Sequence, residues 1–106
     1  MINNALKLFH AMYQILDDLY SGEEDLLIFI SDANPSFCLD KKSIDPAVFE
    51  DFEMLFKQKI GDGISDYEFI LYFLEHLDPY YGDIKKYFIS IPRDECEKKL
   101  ASFLKR

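Results

Sequence analysis

"SGEEDLLIFISDANP", residues 21–35, is the stretch on which the fold of this chain turns. Its centre, Leu26 to Ile30, is an unbroken apolar run in which Ile and Phe favour a strand. Its start favours a helix. Ser21 with Glu24 spells a capping box, and Glu23, Glu24 and Asp25 occupy the first turn, where the helix dipole favours carboxylates. Pro35 bars continuation at the far end. The reading is a short helix over about 22–31, which makes the whole chain all-α.

The flanking segments agree. Residues 4–20 carry Leu6, Phe9, Tyr13, Leu16 and Tyr20 at helical spacing, with Leu8, Met12, Ile15 and Leu19 alongside. Asn3 or Asn4 suits the start of that helix and Gly22 its end. Asp45-Pro46 pairs a capping residue with a proline at the first helical position. It opens a helix through Val48, Phe49, Phe52, Leu55, Phe56 and Ile60 that stops at Gly61. Ser65 and Glu68 spell a second capping box, before a helix to about His76. That helix is apolar almost all round, so it belongs at the centre. Pro79 reads as the end of that region. "YYGDIKKYFISIP" (80–92) reads as a short helix through Ile84, Tyr87, Phe88 and Ile91. Pro92 opens a last helix with Cys96, Leu100, Phe103 and Leu104 inward and Lys98, Lys99, Lys105 and Arg106 outward. No repeat or second-domain boundary interrupts the pattern. A single domain of about six helices is expected over 1–106.

At 106 residues and 49% hydrophobic, the chain is long enough to bury one core without staples. Its net charge of −8 repels nucleic acid and anionic membranes and favours a basic protein partner. The charge is segregated along the sequence. Eleven acids stand between 17 and 53 against Lys41 and Lys42, whereas seven bases stand against three acids from 84 onward. Cys38 and Cys96 show no metal or redox spacing and read as buried, reduced thiols. The first residues lack the apolar core of a signal peptide, and the longest apolar run, "FILYFL" (69–74), is too short to span a bilayer. These features predict a soluble, cytoplasmic protein.

Chemical motifs are few. "SDANPSFCLDKKS" (31–43) places Asp32, Asn34, Ser36 and Asp40 at positions one, three, five and nine of a calcium-binding EF-hand loop, and Leu39 at position eight. The frame fails at position six, where Phe37 replaces the required Gly, and at position twelve, where Ser43 replaces the bidentate Glu. The segment reads instead as a connecting loop: Phe37, Cys38 and Leu39 tuck into the core, and Asp45 caps the next helix. His10 and His76 lie within apolar helical patterns without zinc-ligand spacing. No nucleophile motif or phosphate-cradling loop is present. No catalytic residue, metal or cofactor is expected, and the chain is not read as an enzyme.

The acidic cluster carries the functional expectation. Asp17, Asp18, Glu23, Glu24 and Asp25 end one helix and begin the next, so they must lie close together; Glu50 and Asp51 extend the patch. As a solvated face these residues would supply solubility alone. As a docking surface they would steer a basic partner into place, with Tyr20 as an aromatic anchor.

"FISDANPSFCLDKKSIDPAVFEDFEMLF" (29–56) resembles small acidic immunity proteins of contact-dependent growth inhibition and related bacterial polymorphic toxin systems. The shared pattern is a helix ending in Asp-Ala-Asn-Pro-x-Phe, a short polar loop, then Asp-Pro-Ala-x-Phe/Tyr-x-x-Phe. Asp32 to Pro35, Phe37 and Asp45 to Phe52 match it, over about a quarter of the chain. The matching residues are of structural type: caps, loop anchors and core. The resemblance implies a cytoplasmic protein that binds a cognate nuclease-type toxin domain and occludes its active site. The alternative is an acidic helical adaptor for a regulatory or nucleic-acid-associated protein. A gene for a large secreted toxin directly upstream would favour the first.

Overall fold

The computed structural model describes residues 4–34 and 46–104. Among these residues there are seven helices and no strand, so the chain is all-α. The helices are α1 (Asn4–Leu19), α2 (Glu24–Ala33), α3 (Pro46–Lys59), α4 (Asp66–His76), α5 (Asp78–Tyr81), α6 (Lys85–Ile89) and α7 (Arg93–Leu104). A 3-10 turn, Ile60–Asp62, follows α3.

The ambiguous run 26–30 is helical. Leu26, Phe29, Ile30 and Ala33 are buried, a spacing of three and four residues that only a helix brings onto one face. The capping box expected at Ser21 does not form. Ser21 instead donates from its backbone N to Glu23 Oε1 at 2.8 Å and from Oγ to Glu23 Oε2 at 3.0 Å, while Glu23 occupies the cap position without a side-chain bond to the helix. At α4 the predicted cap is present. Ser65 Oγ accepts from the backbone N of Glu68 at 3.2 Å and lies within hydrogen-bond distance of its carboxylate.

Two boundaries differ from the sequence reading. Pro79 stands in the first turn of α5, second after Asp78, rather than ending a helical region, because a proline there loses no intrahelical bond. The helix expected over 80–92 is divided at Gly82, whose φ of 82° and ψ of −167° form a conformation essentially restricted to glycine. That division raises the count from about six helices to seven. The buried stripe of α1 is Ala5, Leu8, Phe9, Ala11, Met12, Ile15 and Leu16; Leu6, Tyr13 and Leu19 are half-buried and Tyr20 is exposed. The expected loop anchors Phe37, Cys38 and Leu39 and the caps Asn3 and Asp45 lie outside the described residues, as do Lys105 and Arg106.

The core is aromatic. Phe52 of α3 is fully buried, with the rings of Phe73, Phe69 and Phe9 edge-on to it at 4.9, 5.1 and 5.2 Å between centroids. Phe49 meets Phe9 at 5.2 Å, so α3 is bound to α1 and α4 through one cluster. Edge-to-face pairs add about 0.5–1.5 kcal/mol each beyond the area they bury. α4 buries Tyr67, Phe69, Ile70, Phe73 and Leu74 and half-buries Leu71 and Tyr72, which fits its expected central place. Cys96 and Leu100 turn inward from α7. Burial pushes the Cys96 thiol up to about 11, so it stays protonated at neutral pH.

Candidate functional site

The corner between α1 and α2 gathers most of the predicted docking residues. α1 ends with Asp17 and Asp18, both exposed, and the chain then turns through Gly22, whose φ of 110° suits a residue without a side chain. Glu24, also exposed, opens α2. Tyr20 is 36% exposed between them. Asp18 accepts from Gln14 Nε2 at 3.0 Å, an ordinary contact one helical turn away. No Lys or Arg stands between residues 8 and 34. Among the described residues, none comes within ion-pair distance of Asp17, Asp18 or Glu24. Two bases elsewhere are matched within the fold, Lys85 with Glu75 at 2.6 Å and Arg93 with Glu97 at 2.6 Å and Glu68 at 3.3 Å. Among the described residues, Asp17, Asp18 and Glu24 thus project negative charge without an ion-pair partner, although Lys99 lines the same groove as Asp18.

Glu23 and Asp25 differ from their neighbours. The Ser21 hydrogen bonds hold the Glu23 carboxyl below its ordinary range. Asp25 accepts from the Tyr87 hydroxyl at 2.7 Å and lies 3.9 Å from Lys86 Nζ, so it braces α2 against α6. Asp32 does the same toward α5, accepting from the Tyr81 hydroxyl at 2.8 Å. The first residue of the calcium-like frame thus has a structural partner. Among the described residues, no cluster of His, Cys, Asp and Glu is placed to hold a metal ion.

The Tyr87 hydrogen bond holds the Asp25 carboxyl below its ordinary range, and the same bond is the chief cause that pushes Tyr87 up to about 12. The depressed carboxyl stabilises the fold above its unfolded value of about 3.9, an effect lost as pH falls through the lower folded value. The raised phenol stabilises it below about pH 10, an effect lost as pH rises through about 12. Tyr87→Phe is therefore expected to lower the melting temperature at pH 7. The gap from the wild type should close as the pH falls below the ordinary aspartate range. Melting curves from pH 2 to 8 test this, and a gap independent of pH would show that the bond contributes nothing through ionisation.

Glu50 is exposed on α3 and Asp51 half-buried beside it. Asp51 sits 3.7 Å from His76 Nε2 of α4, an ion pair whenever that imidazole is protonated. The adjacent Phe49 and Phe52 rest on Phe9, about two helical turns of α1 before Asp17.

Two features of the corner were not foreseen. Leu27 and Ile28 are 44% and 50% exposed on the outer side of α2. They share that side with Glu24 and Ser31, both also exposed. The second feature is a groove of about 330 Å³ where α1 ends against the start of α7. Ile15, Leu19, Ile91 and Pro92 line it, with Asp18, Glu95, Ser90 and Lys99 on its wall. The signal for the aliphatic pair was present: α2 carries more apolar residues than one buried stripe can hold. No helix among the described residues is long and apolar enough to cross a membrane. No family model matches the chain, and neither a curated protein nor a solved structure matches it.

Proposed function

We propose that this chain is a cytoplasmic immunity protein that neutralises a cognate nuclease-type toxin domain by occluding its active site. The observation that carries the reading is the α1–α2 corner, where Asp17, Asp18 and Glu24 are exposed and, among the described residues, pair with no base. A nuclease must present a basic groove to its substrate's phosphates, and carboxylates held on a folded surface are suited to occupy that groove. The resemblance of residues 29–56 to acidic immunity proteins points the same way. The mode of action is binding and steric exclusion, and the chain itself performs no chemistry.

Co-expression tests the reading directly. The toxic domain encoded by the gene next to this chain's own is induced in cells with and without the chain. Growth should be rescued only when the chain is present, and an unrelated nuclease should remain lethal. Failure to protect, together with failure to form a complex with that domain, would remove the toxin reading. The acidic-adaptor alternative would then stand.

A further inference from the structure

Eight of the ten residues of α2 fall into two stripes, with Asp25 and Asp32 half-buried at their edges. Leu26, Phe29, Ile30 and Ala33 form the inner one and are buried. Glu24, Leu27, Ile28 and Ser31 form the outer one and are all exposed. Single exposed aliphatics are ordinary, but two large ones adjacent on a short helix, about half exposed each, are not required by the core. Protein interfaces place apolar residues at the centre and charge at the rim. The corner already has that arrangement, with Leu27 and Ile28 beside Glu24 and the acids of α1 close by across the Gly22 turn.

We infer that the outer stripe of α2 is the apolar centre of the docking surface. Its occupant is a basic protein domain with an apolar recess between lysine or arginine side chains. The inference rests on the proposed function and deepens it by dividing the labour of binding. Asp17, Asp18 and Glu24 attract and orient the partner, whereas Leu27 and Ile28 hold it once docked. Charge selects the class of occupant. A nucleic acid or an anionic lipid surface would be repelled by the acids, and a neutral apolar surface would leave them desolvated without counter-charges.

The test compares wild type with Leu27→Ala/Ile28→Ala against a catalytically inactive form of the toxic domain used for the protection assay. Alanine is the strongest helix former, so α2 persists, and an unchanged far-UV spectrum checks this. Dissociation should quicken by about 10- to 100-fold while the association rate and its salt dependence change little. Unchanged dissociation in the variant, with tight wild-type binding, would overturn the inference and leave the proposed function standing. A wild-type dimer in sedimentation that the double variant converts to monomer, with toxin binding intact, would also overturn it, since the stripe would then pair two copies of the chain. Failure of the wild type to bind at all is a distinct result that strikes the proposed function itself.

Discussion

Reversal of Asp17, Asp18 and Glu24 to lysine is expected to abolish protection while leaving the fold in place. The three carboxylates are exposed, and the substitutions break no ion pair among the described residues. Each exposed change should cost within about 0.5 kcal/mol. Glu24 adds about 0.3–1 kcal/mol through its place in the first turn of α2. Binding should respond on a different scale. Coupling across close interfacial charge pairs runs to about 1.5–7 kcal/mol, so three reversals at the low end cost roughly three orders of magnitude in affinity. The association rate should fall first and lose its sensitivity to salt, as stopped-flow mixing at two ionic strengths would reveal. Asp25 is left unchanged because its carboxylate accepts from Tyr87, and reversing it would confuse lost binding with a loosened helix. Full protection by the triple variant would mean that the corner serves solubility only and that any partner docks elsewhere.

Phe52→Ala is the second large effect, and it falls on stability. The ring is fully buried and meets Phe9, Phe69 and Phe73 edge-on at 4.9–5.2 Å, so three helices lose a shared contact at once. Phe-to-Ala changes in cores cost about 3–5 kcal/mol, because the cavity collapses only in part. A domain of this size has a total stability of about 5–15 kcal/mol. The variant should unfold at a much lower urea concentration and sit close to its melting point at 37 °C. Phe103→Ala, at a half-buried position near the end of α7, is the matched comparison and should cost clearly less. Equal losses at the two sites would show that the aromatic cluster is not the keystone of the fold.

The parts of the fold that could be read from sequence are those where local chemistry and tertiary packing agree. Ser65 caps α4 as its spacing with Glu68 implies, and Pro46 starts α3. Ser21 had the same spacing, but its hydroxyl and backbone amide are both taken by Glu23, an outcome decided by the turn at Gly22. Pro79 misleads for a related reason. Proline stops a helix only when it stands beyond the first turn, and sequence does not reveal how close the next helix begins. At the candidate site, the nearness of Asp17, Asp18, Glu23, Glu24 and Asp25 followed from the short connection between two helices. Asp25's hydrogen bond lies 62 positions away in the sequence and the contact of Asp51 with His76 crosses between helices, so neither could be read from spacing. Leu27 and Ile28 were legible in principle. An apolar run long enough to suggest a strand is, once helical, too wide to bury.

The packing of α1 against α7 bears on how the chain is made. The end of α1 at Leu19 and the start of α7 at Arg93 are about 74 positions apart, and the groove between them shows the two helices meeting there. At ~5–20 residues per second, the side of α1 that includes Ile15 and Leu19 waits roughly 4–15 s on the ribosome before its cover is synthesised. A nascent chain that stalls before Arg93, or a fragment cut there, keeps that side bare. It should be bound by chaperones or aggregate instead of settling into a smaller stable core.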